Sequence, residues 1–82
     1  MTDVFLAQSV KRDIDDLPND IRDRVKEGLR DAAARPDRQL KNLSNREGYS
    51  VRIGDYRAIV DWDKQEDRIN VVDFGHRRNI YD

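Results

Sequence analysis

The apolar positions change period once along the chain, from a helical repeat to strict alternation. The opening run Asp3-Val4-Phe5-Leu6 reads as a short first strand or extended arm. From Ser9 onward, Val10, Ile14 and Leu17 recur at helical spacing, with Ser9 placed as an N-cap. Pro18 then fits the first turn of a second helix, where its missing N–H costs nothing. Ile21, Val25, Leu29 and Ala32 form one apolar stripe on that helix. Arg35-Pro36 ends it, because a residue before proline is pushed out of the helical region. The charged side (Arg22, Asp23, Lys26, Glu27, Arg30) is most simply solvated surface. A helical hairpin with a single apolar face is the expectation.

Residues 37–48 read as a polar connector, after which the period becomes two. Tyr49, Val51 and Ile53 point one way, with Ser50 and Arg52 the other. Tyr56, Ala58, Val60 and Trp62 share a face, with Arg57, Ile59 and Asp61 opposite; Trp62 is read as packing. Gly54-Asp55 between the two runs has the signature of a two-residue type II′ turn. That turn sets Ile53 against Tyr56 and Arg52 against Arg57. Like charges facing each other across a strand pair are destabilising, so stability alone does not account for the pairing. A third strand over 68–75 follows the loop 63–67. Pairing Asp63 with Asp67 puts Arg57 opposite Asp73, with Arg77 further along the same face. The predicted fold is α+β, a two-layer domain over 1–82. Its N-terminal strand and helical hairpin pack on a small antiparallel sheet.

Composition narrows the possibilities. An 82-residue chain buries only about 60–65% of its unfolded surface, so the core is thin and stability depends on partners. No stretch approaches the roughly 18 apolar residues of a membrane helix, and the first residues lack the order of a signal peptide. With no cysteine, disulfides and thiolate metal sites are excluded. A soluble, cytoplasmic protein with no membrane association is expected. Acids are 14 Asp and 3 Glu, and bases 12 Arg and 4 Lys, a bias that suits either a salt-rich cytoplasm or a GC-rich genome. The net charge of −1 is unevenly spread. Residues 38–60 hold five bases (Arg38, Lys41, Arg46, Arg52, Arg57) against Glu47 and Asp55, whereas each flank has two more acids than bases. Such a patch suits a polyanion, or is a solvated face.

Arg52, Arg57, Arg77 and Arg78 are the candidate constellation. Guanidinium forks match phosphate geometry, and converging arginines stabilise the extra charge of a pentacovalent phosphorus. Ion pairing with Asp55, Asp61 or Asp73 is the structural alternative for any one of them. His76, the single histidine, can exchange a proton near neutral pH, or is simply a surface or packing residue. Tyr81 suits core packing, base stacking or proton transfer. No phosphate-cradling glycine loop and no cluster of metal ligands stands out, so no metal or cofactor is expected.

The motifs Tyr49-x-x-Arg52-x-Gly54-Asp55-Tyr56-Arg57 and Gly75-His76-Arg77-Arg78-x-x-Tyr81, in this order, resemble the RelE toxins of the RelE/ParE superfamily. These are the toxin halves of type II toxin–antitoxin pairs. The helix start at residues 17–25 looks similar to the family's second helix. The resemblance spans essentially the whole chain. It implies an mRNA interferase that enters the ribosomal A site and cuts mRNA without a metal. The 2′-hydroxyl would attack the adjacent phosphorus and the 5′-oxygen would leave. It also implies Arg57 and Arg77 as phosphate ligands and Arg52 as a basic neighbour, with Arg78, Lys41 and Arg46 as further RNA contacts. Tyr81 would stack on or orient the base, or help move a proton. The implied partners are a RelB-like antitoxin, the ribosome and mRNA, with operator DNA reached only through the antitoxin complex. Two departures stand out. Ser50 occupies a position where some relatives carry a lysine proposed as the base, leaving His76 as the replacement. The overall charge is acidic, where most such toxins are basic. The same fold also serves ParE-like inhibitors of DNA gyrase, and a toxin can decay to a mere antitoxin-binding partner.

Overall fold

The structure is a computed structural model and describes residues 2–44, 47–76 and 78. Strand β1 (Asp3–Leu6) leads into helix α1 (Gln8–Asp15) and helix α2 (Asn19–Ala34). A one-turn helix α3 (Pro36–Gln39) and a two-residue strand β2 (Lys41–Asn42) follow. Strands β3 (Tyr49–Ile53), β4 (Tyr56–Asp63) and β5 (Arg68–His76) complete the regular structure of the described residues. The five strands form one sheet in the order β1-β5-β4-β3-β2. The architecture is the expected α+β, with both long helices on one face of the sheet: α1 packs on β5, and α2 on β1 and β3.

The three C-terminal strands are antiparallel as expected, while β1 adds beside β5 in parallel, making the sheet mixed. Val4 and Leu6 align with Ile69 and Val71, which joins the N-terminal run to the core. Thr2 Oγ1 donates to Asp67 Oδ1 at 2.7 Å, and the Asp3 N–H to the Asp67 carbonyl at 3.0 Å. The helical stripe is buried as predicted: Val10, Ile14, Val25, Leu29 and Ala32 meet Val51, Ala58, Val60, Ile69, Val71 and Phe74.

Local boundaries differ from the sequence reading at three places. Ser9 lies inside α1 and Ala7 holds the cap position, because the helix starts two residues earlier without a side-chain cap. Pro18 is the residue before α2, at φ −55 and ψ 150, where its ring fixes an extended entry. The connector is partly ordered: Pro36 restarts the chain as α3 after Arg35 leaves the helical region. Leu40 is buried in the core and Leu43 is buried outside it.

Gly28 marks the closest approach of α2 to the sheet. A Cβ placed there lies 2.9 Å from both Cγ atoms of Ile53, which branch directly off the strand and have no freedom to yield. Gly28→Ala is therefore expected to lower stability by about 1–2 kcal/mol, although Gly to Ala within a helix contributes about 1 kcal/mol the other way. Urea denaturation of the two proteins checks the sign.

Candidate anion-binding site

The β3–β4 hairpin has the register its turn demands. Gly54 has φ +59, the conformation required of the first turn residue, and Ile53 pairs with Tyr56. Arg52 consequently stands opposite Arg57 on the face turned away from the helices. Arg52 is exposed and Arg57 half-buried.

The third strand pairs otherwise than expected. Asp63 pairs with Arg68, not Asp67, because Asp67 remains in the turn with φ +51. Asp63 Oδ1 accepts the N–H groups of Gln65 and Glu66, each at 3.1 Å, which closes that turn. A bulge then intervenes between Val60↔Val71 and Ile59↔Asp73, leaving Val72 without a partner. The two one-residue shifts add, so Arg57 faces Gly75 while Asp73 faces Ile59. Glycine brings no side chain to the strand position beside Arg57. Arg57 thus has Arg52 at one cross-strand position and a glycine at the other.

A cleft of about 220 Å³ opens here, lined by Arg38, Gln39, Lys41, Ser50, Arg52 and Arg57. The sheet supplies Lys41, Ser50, Arg52 and Arg57, and α3 supplies Arg38 and Gln39. Lys41 and Arg52 have no ion pair among the described residues. Four cations with an amide and a hydroxyl make a lining whose guanidinium forks match the geometry of phosphate oxygens. Sequence reasoning placed Lys41, Arg52 and Arg57 in the site. Arg38 was counted in the basic segment but not in the site, and Gln39 was missed. Both belong to a single helical turn too short to show periodicity, and their place follows from Pro36 alone.

His76 is not brought together with these arginines. It pairs with Tyr56 on the helix-side face, where their rings meet edge-on at 5.7 Å. Its Nδ1 accepts the Arg78 N–H at 3.3 Å. Arg57 and His76 therefore sit on opposite faces of the sheet, which removes the simplest geometry for His76 as the base at this cleft. Arg78 is exposed and does not line the cleft. The remaining expected site residues, Arg46, Arg77 and Tyr81, lie outside the described residues. Among the described residues no three His, Asp or Glu side chains gather as a metal site, and no helix is long and apolar enough to cross a membrane.

An anion in the cleft relieves the Arg52/Arg57 repulsion, so binding should read out as stability. Tripolyphosphate is expected to raise the thermal midpoint of the native chain. In Arg52→Gln the midpoint without anion should stay equal or rise, since a cross-strand like-charge pair costs about 0.2–1 kcal/mol. The anion-induced increment should shrink in that variant. Differential scanning fluorimetry measures both.

The profile of the family described as "ParE toxin of type II toxin-antitoxin system, parDE" matches residues 4–81. The chain belongs to this family of type II toxins within the RelE/ParE superfamily. No curated protein sequence matches the chain. Its fold is similar to a chain of the RelBE2 toxin–antitoxin complex of Mycobacterium tuberculosis, with a TM-score of 0.82 and 28% identity. That match covers 93% of this chain and 98% of the other. The archaeal RelE–RelB complex of Pyrococcus horikoshii OT3 matches with a TM-score of 0.77 at 19% identity, over 96% and 98% of the two chains. The isolated RelE toxin of E. coli matches with a TM-score of 0.76 at 15% identity, over 93% and 84%. These last two establish likeness of fold alone.

Proposed function

We propose that this toxin is a ribosome-dependent mRNA endonuclease, held inactive by a cognate RelB-like antitoxin. The observation that carries the reading is the Arg52/Arg57 cross-strand pair inside a four-cation cleft on the open face of the sheet. A toxin whose target is a polyanion needs such a face, and the cross-strand arginine pair is a cost that a bound phosphate would lessen.

In this reading Arg57 and Arg77 hold the scissile phosphate, with Arg52 beside them. Arg38 and Lys41 line the same cleft toward the neighbouring backbone, and Arg46 and Arg78 add further RNA contacts. The 2′-oxygen loses its proton and bonds to phosphorus, and the phosphorane then expels the 5′-oxygen, which takes up a proton. The arginines neutralise the phosphorane between these two events. Tyr81 orients the base or takes part in proton transfer. The ribosome fixes the message, so the protein supplies few groups beyond charge and position. The antitoxin partner is supported by the M. tuberculosis relative, which was crystallised as a toxin–antitoxin complex. A bound partner also adds stability to a domain of this size.

The family's ParE description supports a second reading, inhibition of DNA gyrase. Two assays on the purified toxin separate them. The nuclease reading expects message to be degraded in a translating extract and gyrase supercoiling to be unaffected. Blocked supercoiling with intact message establishes the second reading. Inactivity in both, with antitoxin binding retained, identifies a decayed toxin.

A further inference from the structure

We propose that a second pocket, at the end of the β3–β4 hairpin away from Gly54, is an acceptor site for an arginine side chain of a polypeptide partner. The cavity measures about 490 Å³ and is built around Trp62, Tyr49, Asp61 and Glu47, with Asn42 and Leu43 completing its wall. None of these residues belongs to the anion cleft.

Trp62 and Tyr49 meet edge-to-face, with centroids 5.6 Å apart and planes at 66°. The Trp62 ring already attracts one cation: Lys64 Nζ lies 4.7 Å from its centroid. Glu47 and Asp61 are exposed and make no ion pair or side-chain hydrogen bond among the described residues. Gly48 keeps the cavity open. At φ +115, its Cβ position would lie 3.3 Å from Leu43 Cδ1 and from the Val60 carbonyl oxygen, and 3.6 Å from Asp61 Oδ1. A larger residue there would be strained at this φ and would crowd Leu43 and the Val60 carbonyl.

Two aromatic rings beside two uncompensated carboxylates select a cation. Arginine suits the site better than lysine, because its planar head stacks on a ring while its fork engages a carboxylate. A nucleotide is disfavoured, since its phosphate would lie near both carboxylates. The two sites also alternate in sign. Asp61 is four residues beyond Arg57 on β4, about 13 Å at strand spacing. Trp62 and Tyr49 point to the other face, so the pocket takes Asp61 from the open face and its rings from the helix side.

Trp62 is the only tryptophan of the chain, so its emission reports on this pocket directly. The probe is acetyl-Gly-Gly-Arg-Gly-Gly-amide, titrated against the peptide with citrulline in place of arginine and against guanosine monophosphate. The arginine peptide should change Trp62 emission saturably. The citrulline peptide should bind at least fivefold more weakly, and the nucleotide should give no saturable change. Asp61→Asn and Glu47→Gln should each weaken the arginine peptide about fivefold, with circular dichroism and thermal midpoint as in the native chain. Equal binding of the arginine and citrulline peptides overturns the proposal. So does a saturable nucleotide response, a response to arginine that never saturates, or native affinity in both carboxylate variants. Neither RNA cleavage nor gyrase enters these readouts, so their outcome is separate from that of the nuclease reading.

Discussion

Replacing Arg57 with alanine is expected to reduce message cleavage in a translating extract by about 10²–10³-fold, the usual cost of one donor to a developing anionic centre. The expectation rests on where the residue stands. Arg57 is half-buried on the open face, outside the core cluster, with Arg52 on one flank and Gly75 on the other. Its truncation removes charge from the cleft without opening a hole between sheet and helices. Circular dichroism and the urea midpoint should therefore stay near native values. Arg57→Lys should recover only part of the activity, because an ammonium keeps the charge but not the fork. Arg77→Ala is expected to fall to a similar level. Loss of the folded state in Arg57→Ala would instead make the arginine a structural element.

The largest expected effect on stability is at Phe74. Its ring is buried, stacks on Tyr56 with centroids 5.4 Å apart and planes at 5°, and stands opposite the fully buried Ala58. Phe74→Ala is expected to cost about 3–5 kcal/mol, toward the upper end, because Ala58 has no side chain able to swing into the void. A domain of 82 residues has about 4–12 kcal/mol in total, so the variant should lose a quarter or more of its stability and unfold at a much lower urea concentration. Phe74→Leu fills most of the space and should lose far less. Urea titrations followed by circular dichroism measure both variants. A native-like midpoint for Phe74→Ala would contradict the packing described here.

The two predictions draw on parts of the molecule that differed in how far the sequence specified them. The β3–β4 hairpin was legible to the residue, because a two-residue turn with glycine first leaves no freedom of register. The helical stripe was legible because period 3.6 and burial coincide from Val10 to Ala32. The third strand was not. A four-residue turn and a bulge at Val72 each move the register by one, and neither has a signature like Gly54's. Because the two shifts add to two, Asp73 kept its expected face while its partner changed. Arg68 and Asn70, before the bulge, fall on the open face opposite Asp63 and Asp61, contrary to the expected pairing. His76 looked attractive because it adjoins Arg77 in sequence, yet strand alternation sends it to the helix side with Tyr56. Arg38 and Gln39 entered the cleft through α3, whose single turn has too few residues to display a period. Trp62 was assigned to packing from its alternation. It does pack against the core, and its remaining surface lines the second pocket.

The most direct test of the nuclease assignment is the position and chemistry of the cut. Message recovered from a translating extract after addition of the toxin should be cleaved within the codon in the ribosomal A site. The upstream fragment should end in a 2′,3′-cyclic phosphate, as attack by the 2′-hydroxyl requires, and the downstream fragment should begin with a 5′-hydroxyl. Message left intact on active ribosomes, or cuts scattered without regard to the A site, would contradict the account.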